Sequence, residues 1–158
     1  LSDSFHRTFN FMDEAATKSG TGSVFIDDTN GVLSLTTGSP VWLQQEVEIE
    51  EITNVLAFTA DFESEAGAEG FLRVFWNNEL IASIDERIAG NDLQTYLFAL
   101  PWNYQPGTYD LAFRLDPFTD VASNVLIDDI SFGYFENVPE PASIVLLVVS
   151  GSVLYRRR

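Results

Sequence analysis

The sequence predicts an all-β protein, an antiparallel two-sheet sandwich or a barrel, and three observations predict it. Apolar residues recur with a period of two along most of the chain. Turn residues break that alternation at short intervals. No stretch before Asn137 carries the three-and-four spacing of a long amphipathic helix. A series of about ten short strands with turn signals between them is the pattern of such folds.

Each element has its own warrant. Residues 6–11 are short and aromatic, with Phe9 and Phe11 two apart, and 13–19 has room for one helical turn. Residues 23–27 and 32–36 read as a hairpin, because Asn30-Gly31 supplies the positive φ of a tight turn. In the next strand Val41, Leu43, Val47 and Ile49 share one face, and Trp42, Gln44, Glu46 and Glu48 the other, as in a half-buried sheet. Residues 54–63 repeat the pattern with Leu56, Phe58, Ala60 and Phe62 inward. Strands over 71–76 and 79–84 flank Asn77-Asn78, and a loop over 85–92 leads to a strand over 94–100. The proline-bounded segment 101–107 reads as a turn. Tyr109, Leu111, Phe113 and Leu115 then form another inward face, and 116–124 loops into a last strand over 125–134.

The chain of 158 residues has a formal charge of −16 and no cysteine. Of its acids only Glu140, and of its bases only Arg156 to Arg158, lie beyond Asn137, which leaves 23 acids and 5 bases before that point. A body this acidic repels phosphates, so nucleic acid is excluded as a partner. Acidity suits solubility outside the cell and cation binding equally well. Without cysteine there are no disulfides, thiolate metal sites or cysteine nucleophiles.

The end of the chain differs from everything before it. Pro139 and Pro141 lack backbone donors and stop any strand or helix arriving from the N-terminal side. Residues 142–155 then carry no charge, and 144–149 are apolar on every side, as for a segment in lipid or fully buried. Fourteen helical residues rise about 21 Å, short of the roughly 30 Å of a hydrocarbon core. Arg156, Arg157 and Arg158 extend that reach by snorkelling and hold their end in the cytoplasm. The expected arrangement is a β-sandwich domain, 1–137, followed by a marginal transmembrane helix with its N-terminal side outside.

In this order, Val138-Pro139-Glu140-Pro141, an apolar helix and an arginine cluster, the segment 138–158 resembles the PEP-CTERM protein-sorting signal of Gram-negative bacteria. The resemblance implies 138–141 as the recognised motif (Pro139, Glu140 and Pro141 its core), 142–155 as the membrane helix and 156–158 as the basic stop. It also implies export, a transient inner-membrane tether, processing by an exosortase-type enzyme, and release to the cell surface or matrix. Export requires a leader; the chain opens on Leu1 without one, so the expectation is that it was removed or left out.

A second resemblance rests on the strand Gly107-Thr-Tyr-Asp-Leu-Ala-Phe-Arg-Leu115 and the ending Asn124-Val-Leu-Ile-Asp-Asp-Ile-Ser-Phe132. Together they are similar to the closing strands of jelly rolls of the carbohydrate-binding-module and galactose-binding kind. That similarity implies a jelly-roll body and the binding of extracellular polysaccharide. It also implies a structural calcium ion held by a carboxylate of the last strand, here Asp128, on the face shared with Leu126, Ile130 and Phe132, and by N-terminal groups such as Asp3. Capping of backbone donors by Asp128, or pairing with Arg7 or Arg114, accounts for the same carboxylate. No other cofactor is expected. With Gly31 at the loop's glycine position, the run from Ile26 lacks the ligands of a calcium loop, since Ile26 falls at the first ligand position and Thr37 where a bidentate glutamate is required.

Trp102 and Tyr104, expected in a turn, could stack on sugar rings; Trp42 and Trp76 offer the same from a sheet face, while burial at the sandwich ends is the alternative for all of them. Catalysis finds little support. His6 is the single histidine, near the N-terminus, and there is no nucleophile elbow. Acid pairs such as Glu63 with Glu65, or Asp85 with Glu86, would serve a glycoside hydrolase only at a defined separation, and solvated loop charge explains them. The expectation is thus a non-enzymatic, exported surface or matrix protein; the alternatives are a carbohydrate-binding module and, third, a glycoside hydrolase. Replacing Arg156, Arg157 and Arg158 by glutamate should mislocalise or release the precursor in fractionated cells, and unchanged fractionation would refute the tail assignment.

Overall fold

The computed structural model describes residues 4–20, 22–27, 32–37 and 40–136. Among them are eleven strands and one short helix: β1 Ser4–Phe9, β2 Thr17–Gly20, β3 Ser23–Asp27, β4 Val32–Thr37, β5 Val41–Ile49, β6 Thr53–Phe62, β7 Gly70–Trp76, β8 Glu79–Asp85, α1 Glu86–Ala89, β9 Gln94–Tyr104, β10 Gly107–Pro117 and β11 Ser123–Tyr134. One sheet runs β3-β4-β11-β6-β9, with β1 also on β11; the other runs β2-β5-β10-β7-β8. Every pairing is antiparallel. The body is thus an all-β jelly-roll sandwich.

Alternation decides which side chains meet between the sheets. Leu56, Phe58, Ala60 and Phe62 of β6 and Phe132 of β11 face Leu111, Phe113 and Leu115 of β10 and Leu72, Val74 and Trp76 of β7, all essentially buried. The rings interlock edge to face: Phe58 meets Phe113 at 5.3 Å between centroids and 84°, and Phe11 meets Phe113 at 6.0 Å. Large apolar rings removed from water supply most of the driving force, and their offset geometry adds specificity.

Strand β11 carries two partners along one edge. Residues 123–127 pair with β4 and residues 130–134 with β1, and the change falls at Asp128 and Asp129. There β11 bulges against β6, with Asp129 at φ 52°. The Asp128 carboxylate Oδ1 accepts the Asp129 N–H at 2.7 Å, which satisfies the donor that the bulge takes from the ladder. The extra residue shifts the alternation by one. Ile127, Ile130 and Phe132 therefore all point inward, while Asp128, expected on the face of Ile130 and Phe132, lies half-buried on the outer face.

Other expectations change in similar ways. Strand β9 continues through Pro101 to Tyr104, so 101–104 is strand and not turn; a register jump against β6 between Val55 and Thr53 absorbs the added residues. The loop over 85–92 contains α1, capped by the Asp85 carboxylate on the Arg87 N–H. Helical turn bonds from Ala15 and Ala16 to the Met12 carbonyl give way to β2 at Thr17. Asn77 and Asn78, at φ 52° and 67°, make the tight β7–β8 turn. The N-terminal strand is anchored: His6 Nε2 lies 3.1 Å from the Ile52 carbonyl and 3.2 Å from Thr53 Oγ1.

Asp3, the turn 28–31 and the segment 138–158, with Pro139, Glu140, Pro141 and Arg156, Arg157 and Arg158, lie outside the described residues. No helix among those described is long and apolar enough to cross a membrane.

Gly133 lets β1 approach β11, since a Cβ there would sit 2.3 Å from the Ser4 carbonyl oxygen. Gly133→Ala should cost about 1 to 3 kcal/mol in urea denaturation as β1 is pushed away; an unchanged midpoint would refute this packing. Burial pushes the Tyr96 hydroxyl from 10.0 up to about 12. The unfolded chain releases that proton first, so the folded state loses stability as pH rises from 10.0 toward 12. Tyr96→Phe should lessen the fall in melting temperature across that window.

Candidate functional site

The outward face of the five-stranded sheet carries the chemistry. On β10, Phe113 and Leu115 turn into the core, so Arg114 and Asp116 must turn outward. Register places Trp42 of β5 and Arg73 of β7 on either side of Arg114, Gln44 and Phe75 on either side of Ala112, and Phe71 opposite Asp116. Ala112 is small enough for rings from the flanking strands to meet across it: Trp42 and Phe75 lie 5.0 Å apart at 35°.

Two guanidinium groups lie on this aromatic surface. Arg114 sits 4.8 Å from the Trp42 centroid and 5.2 Å from Phe75. Arg73 sits 5.2 Å from Phe71 and 5.7 Å from Phe118, two rings that meet edge to face at 4.9 Å. Both arginines donate to one oxygen, Asp116 Oδ2: Arg114 through Nε at 2.8 Å and Arg73 through Nη1. The Asp116 side chain is 10% exposed, and the arginine side chains are 23% and 26% exposed. Cation–ring attraction and the shared carboxylate both strengthen as water is withdrawn.

Beside this platform the same face opens into a groove of about 500 Å³ lined by Ala15, Thr17, Gln44, Gln45, Glu46 and Asp110. From Asp116 to Asp110 the floor runs about 20 Å along β10. An extended row of amides, carboxylates and guanidiniums beside flat rings can accept and donate hydrogen bonds along a chain of hydroxyl-rich rings.

The expected aromatic contacts separate into three situations. Trp42 is in the platform. Trp76 does not offer a sheet-face surface, because it is fully buried against Phe132, Tyr104 and Tyr109. Trp102 is 72% exposed at the β9 register jump and borders a cleft of about 240 Å³ with Asn54, Leu100, Pro101 and Asn103. That cleft is pinned from below: Asn54 donates to Asn103 Oδ1 and the Phe135 carbonyl and accepts the Phe135 N–H. Tyr104 does not stand beside Trp102, since its ring packs edge to face on Trp76 and Tyr109. Burial, with Glu79 and Tyr109 nearby, pushes its hydroxyl up.

The acid pairs also separate. Glu63 and Glu65 are exposed. Asp85 pairs with Arg87 at 2.9 Å, and that hydrogen bond holds its carboxyl below the usual range. Glu86 is not solvated loop charge; it is buried, with Oε2 accepting the Gly70 N–H at 2.9 Å and the Ser123 hydroxyl at 2.7 Å. Asp128 is engaged at its bulge, where its carbonyl also accepts from Thr59 Oγ1. Among the described residues no three His, Cys, Asp or Glu side chains gather as a metal site.

Sequence reasoning marked Trp42 but missed Arg73, Phe71, Phe75, Phe118, Arg114 and Asp116 as a group. Alternation leaves Arg114 on the outward face, whereas Asp116, expected to open a loop over 116–124, lies within β10. Nothing in linear order put β7 beside β10.

No protein-family model matches the chain, and no curated protein does. Solved structures share its fold. A family 27 carbohydrate-binding module described for specific mannan recognition superposes with TM-score 0.55 at 13% identity, over 84% of this chain and 98% of that one. A family 29 module variant complexed with mannohexaose gives 0.51 at 10%, over 85% and 94%. A family 61 module in complex with β-1,4-galactotriose gives 0.50 at 14%, over 77% and 88%.

Removing the shared acceptor should be costly. Asp116→Ala leaves two guanidiniums facing each other and should cost about 2 to 3 kcal/mol, less than for a fully buried pair because the arginines keep contact with water. Chemical denaturation measures this, and a loss below about 0.5 kcal/mol would refute the pairing as a structural element.

Proposed function

We propose that this protein is a non-catalytic polysaccharide-binding module, delivered to the cell surface or extracellular matrix by the sorting signal at 138–158. The observation that carries the binding reading is the outward platform of Trp42, Phe75, Arg114, Arg73, Phe71 and Phe118, continuous with the groove beside it. The fold shared with carbohydrate-binding modules supports glycans as the ligand class. In this reading the rings stack on sugar faces while Gln44, Glu46, Asp110 and the free guanidinium N–H groups bond hydroxyls. Binding without turnover is supported by the assignment of Asp85, Glu86 and Asp116 to structural partners.

A second location has its own observation, the exposed Trp102 above its cleft. The delivery half of the proposal rests on the order of motif, apolar run and arginines in 138–158; its partners would be the membrane and an exosortase-type enzyme. Intact mass of the protein recovered from its own cells reports on that half, and an uncleaved tail would overturn it.

For binding, the chain is titrated against soluble mannan and galactan. Trp42→Ala should weaken binding about tenfold or more, a loss of stacking, while circular dichroism stays unchanged. Loss confined to Trp102→Ala would move the site to the β9 edge. No binding by the unmodified chain to neutral or to acidic polysaccharides, or binding untouched by either substitution, would overturn the reading.

A further inference from the structure

The cations of this acidic body are not distributed evenly among its acids. Lys18 pairs with Asp13 at 2.6 Å, and Arg87 with Asp85, with Glu69 3.9 Å away. On the platform, Arg73 and Arg114 share the single carboxylate of Asp116. One positive charge there is left over, in a chain whose formal charge is −16. Asp116 takes one N–H from each arginine through one oxygen, and a guanidinium carries five. Both planes lie against aromatic rings, which hold them in position. A fixed guanidinium with spare donors matches a second carboxylate, which accepts two parallel N–H bonds; a hydroxyl cannot match that geometry.

We propose that Arg73 and Arg114 read a carboxylate-bearing sugar, a uronic acid set at intervals along an otherwise neutral polysaccharide. This rests on the polysaccharide-binding reading and names the ligand within it. The spacing follows from charge. The acidic body, with Glu46 and Asp110 lining the same face, repels a densely anionic chain over a screening length of about 8 Å, whereas an isolated carboxylate reaches the platform while its neutral neighbours occupy the groove.

The test compares two forms of one polymer. The full chain is titrated with glucuronic-acid-substituted xylan and with the same xylan after chemical reduction of its carboxyl groups to alcohols, beside neutral mannan and galactan. Carboxyl reduction should weaken binding about tenfold or more, the loss of a charge-assisted pair. Arg114→Gln and, independently, Arg73→Gln should shrink that preference, while Asp116→Asn, which keeps both cations, should retain it. The comparison of polymers needs no variant, so it stands if a substitution unfolds the protein. Equal affinity for the two xylans, or binding of mannan or galactan with none of the substituted xylan, would overturn the carboxylate proposal and leave polysaccharide binding intact. Failure to bind any of the four would overturn both.

Discussion

The pleat of β10 sets the terms for the rest of the molecule. Four consecutive residues, Phe113, Arg114, Leu115 and Asp116, alternate between two environments, and β5 and β7 flank the strand on either side. Inward, Phe113 locks against Phe58 of β6 and Phe11 of the β1–β2 connection. Outward, Arg114 and Asp116 cannot retreat into water without breaking the ladder, so their charges are answered in place by Arg73 and by the rings of Trp42, Phe75, Phe71 and Phe118. Core and candidate site are therefore opposite faces of the same few residues, and the rigidity of one is conferred on the other.

A similar economy governs the six-stranded sheet. Two short strands, β1 and β4, share one edge of β11 because the Asp128–Asp129 bulge bends that strand between them. The carboxylate of Asp128 supplies the acceptor for the displaced backbone donor, and Gly133 supplies the room that β1 needs. At the far edge, the register jump in β9 pushes Trp102 into solvent while Tyr104 returns to the core. Irregularities in pairing, more than loops, determine which polar and aromatic groups this sheet presents.

Glu86 shows how a carboxylate can resemble catalytic equipment and be architecture. It follows Asp85 directly, and adjacency suggests an acid pair. The two are in fact pulled apart in role: Asp85 caps α1 and holds Arg87, while Glu86 reaches inward to join β7 to the start of β11 through Gly70 and Ser123. A Cβ at position 70 would meet the Ser123 hydroxyl at 2.2 Å, so that junction is closed to any larger residue.

Alternation in the sequence was sufficient to determine the all-β class, the inward faces of β5, β6 and β10, and the Asn77-Asn78 turn, because a period of two and a positive φ are local properties. It also marked out the unlike composition of 138–158. It misassigned Asp128 because one bulged residue inverts every face after it, and it left Trp76 open between a sheet face and burial because an aromatic on a strand looks the same whichever way the strand faces. Only the tertiary structure decided that β7 lies beside β10 and β5 on its other side. That long-range pairing is what gathers Trp42, Arg73, Phe75, Arg114 and Asp116, drawn from three separate strands, onto one surface.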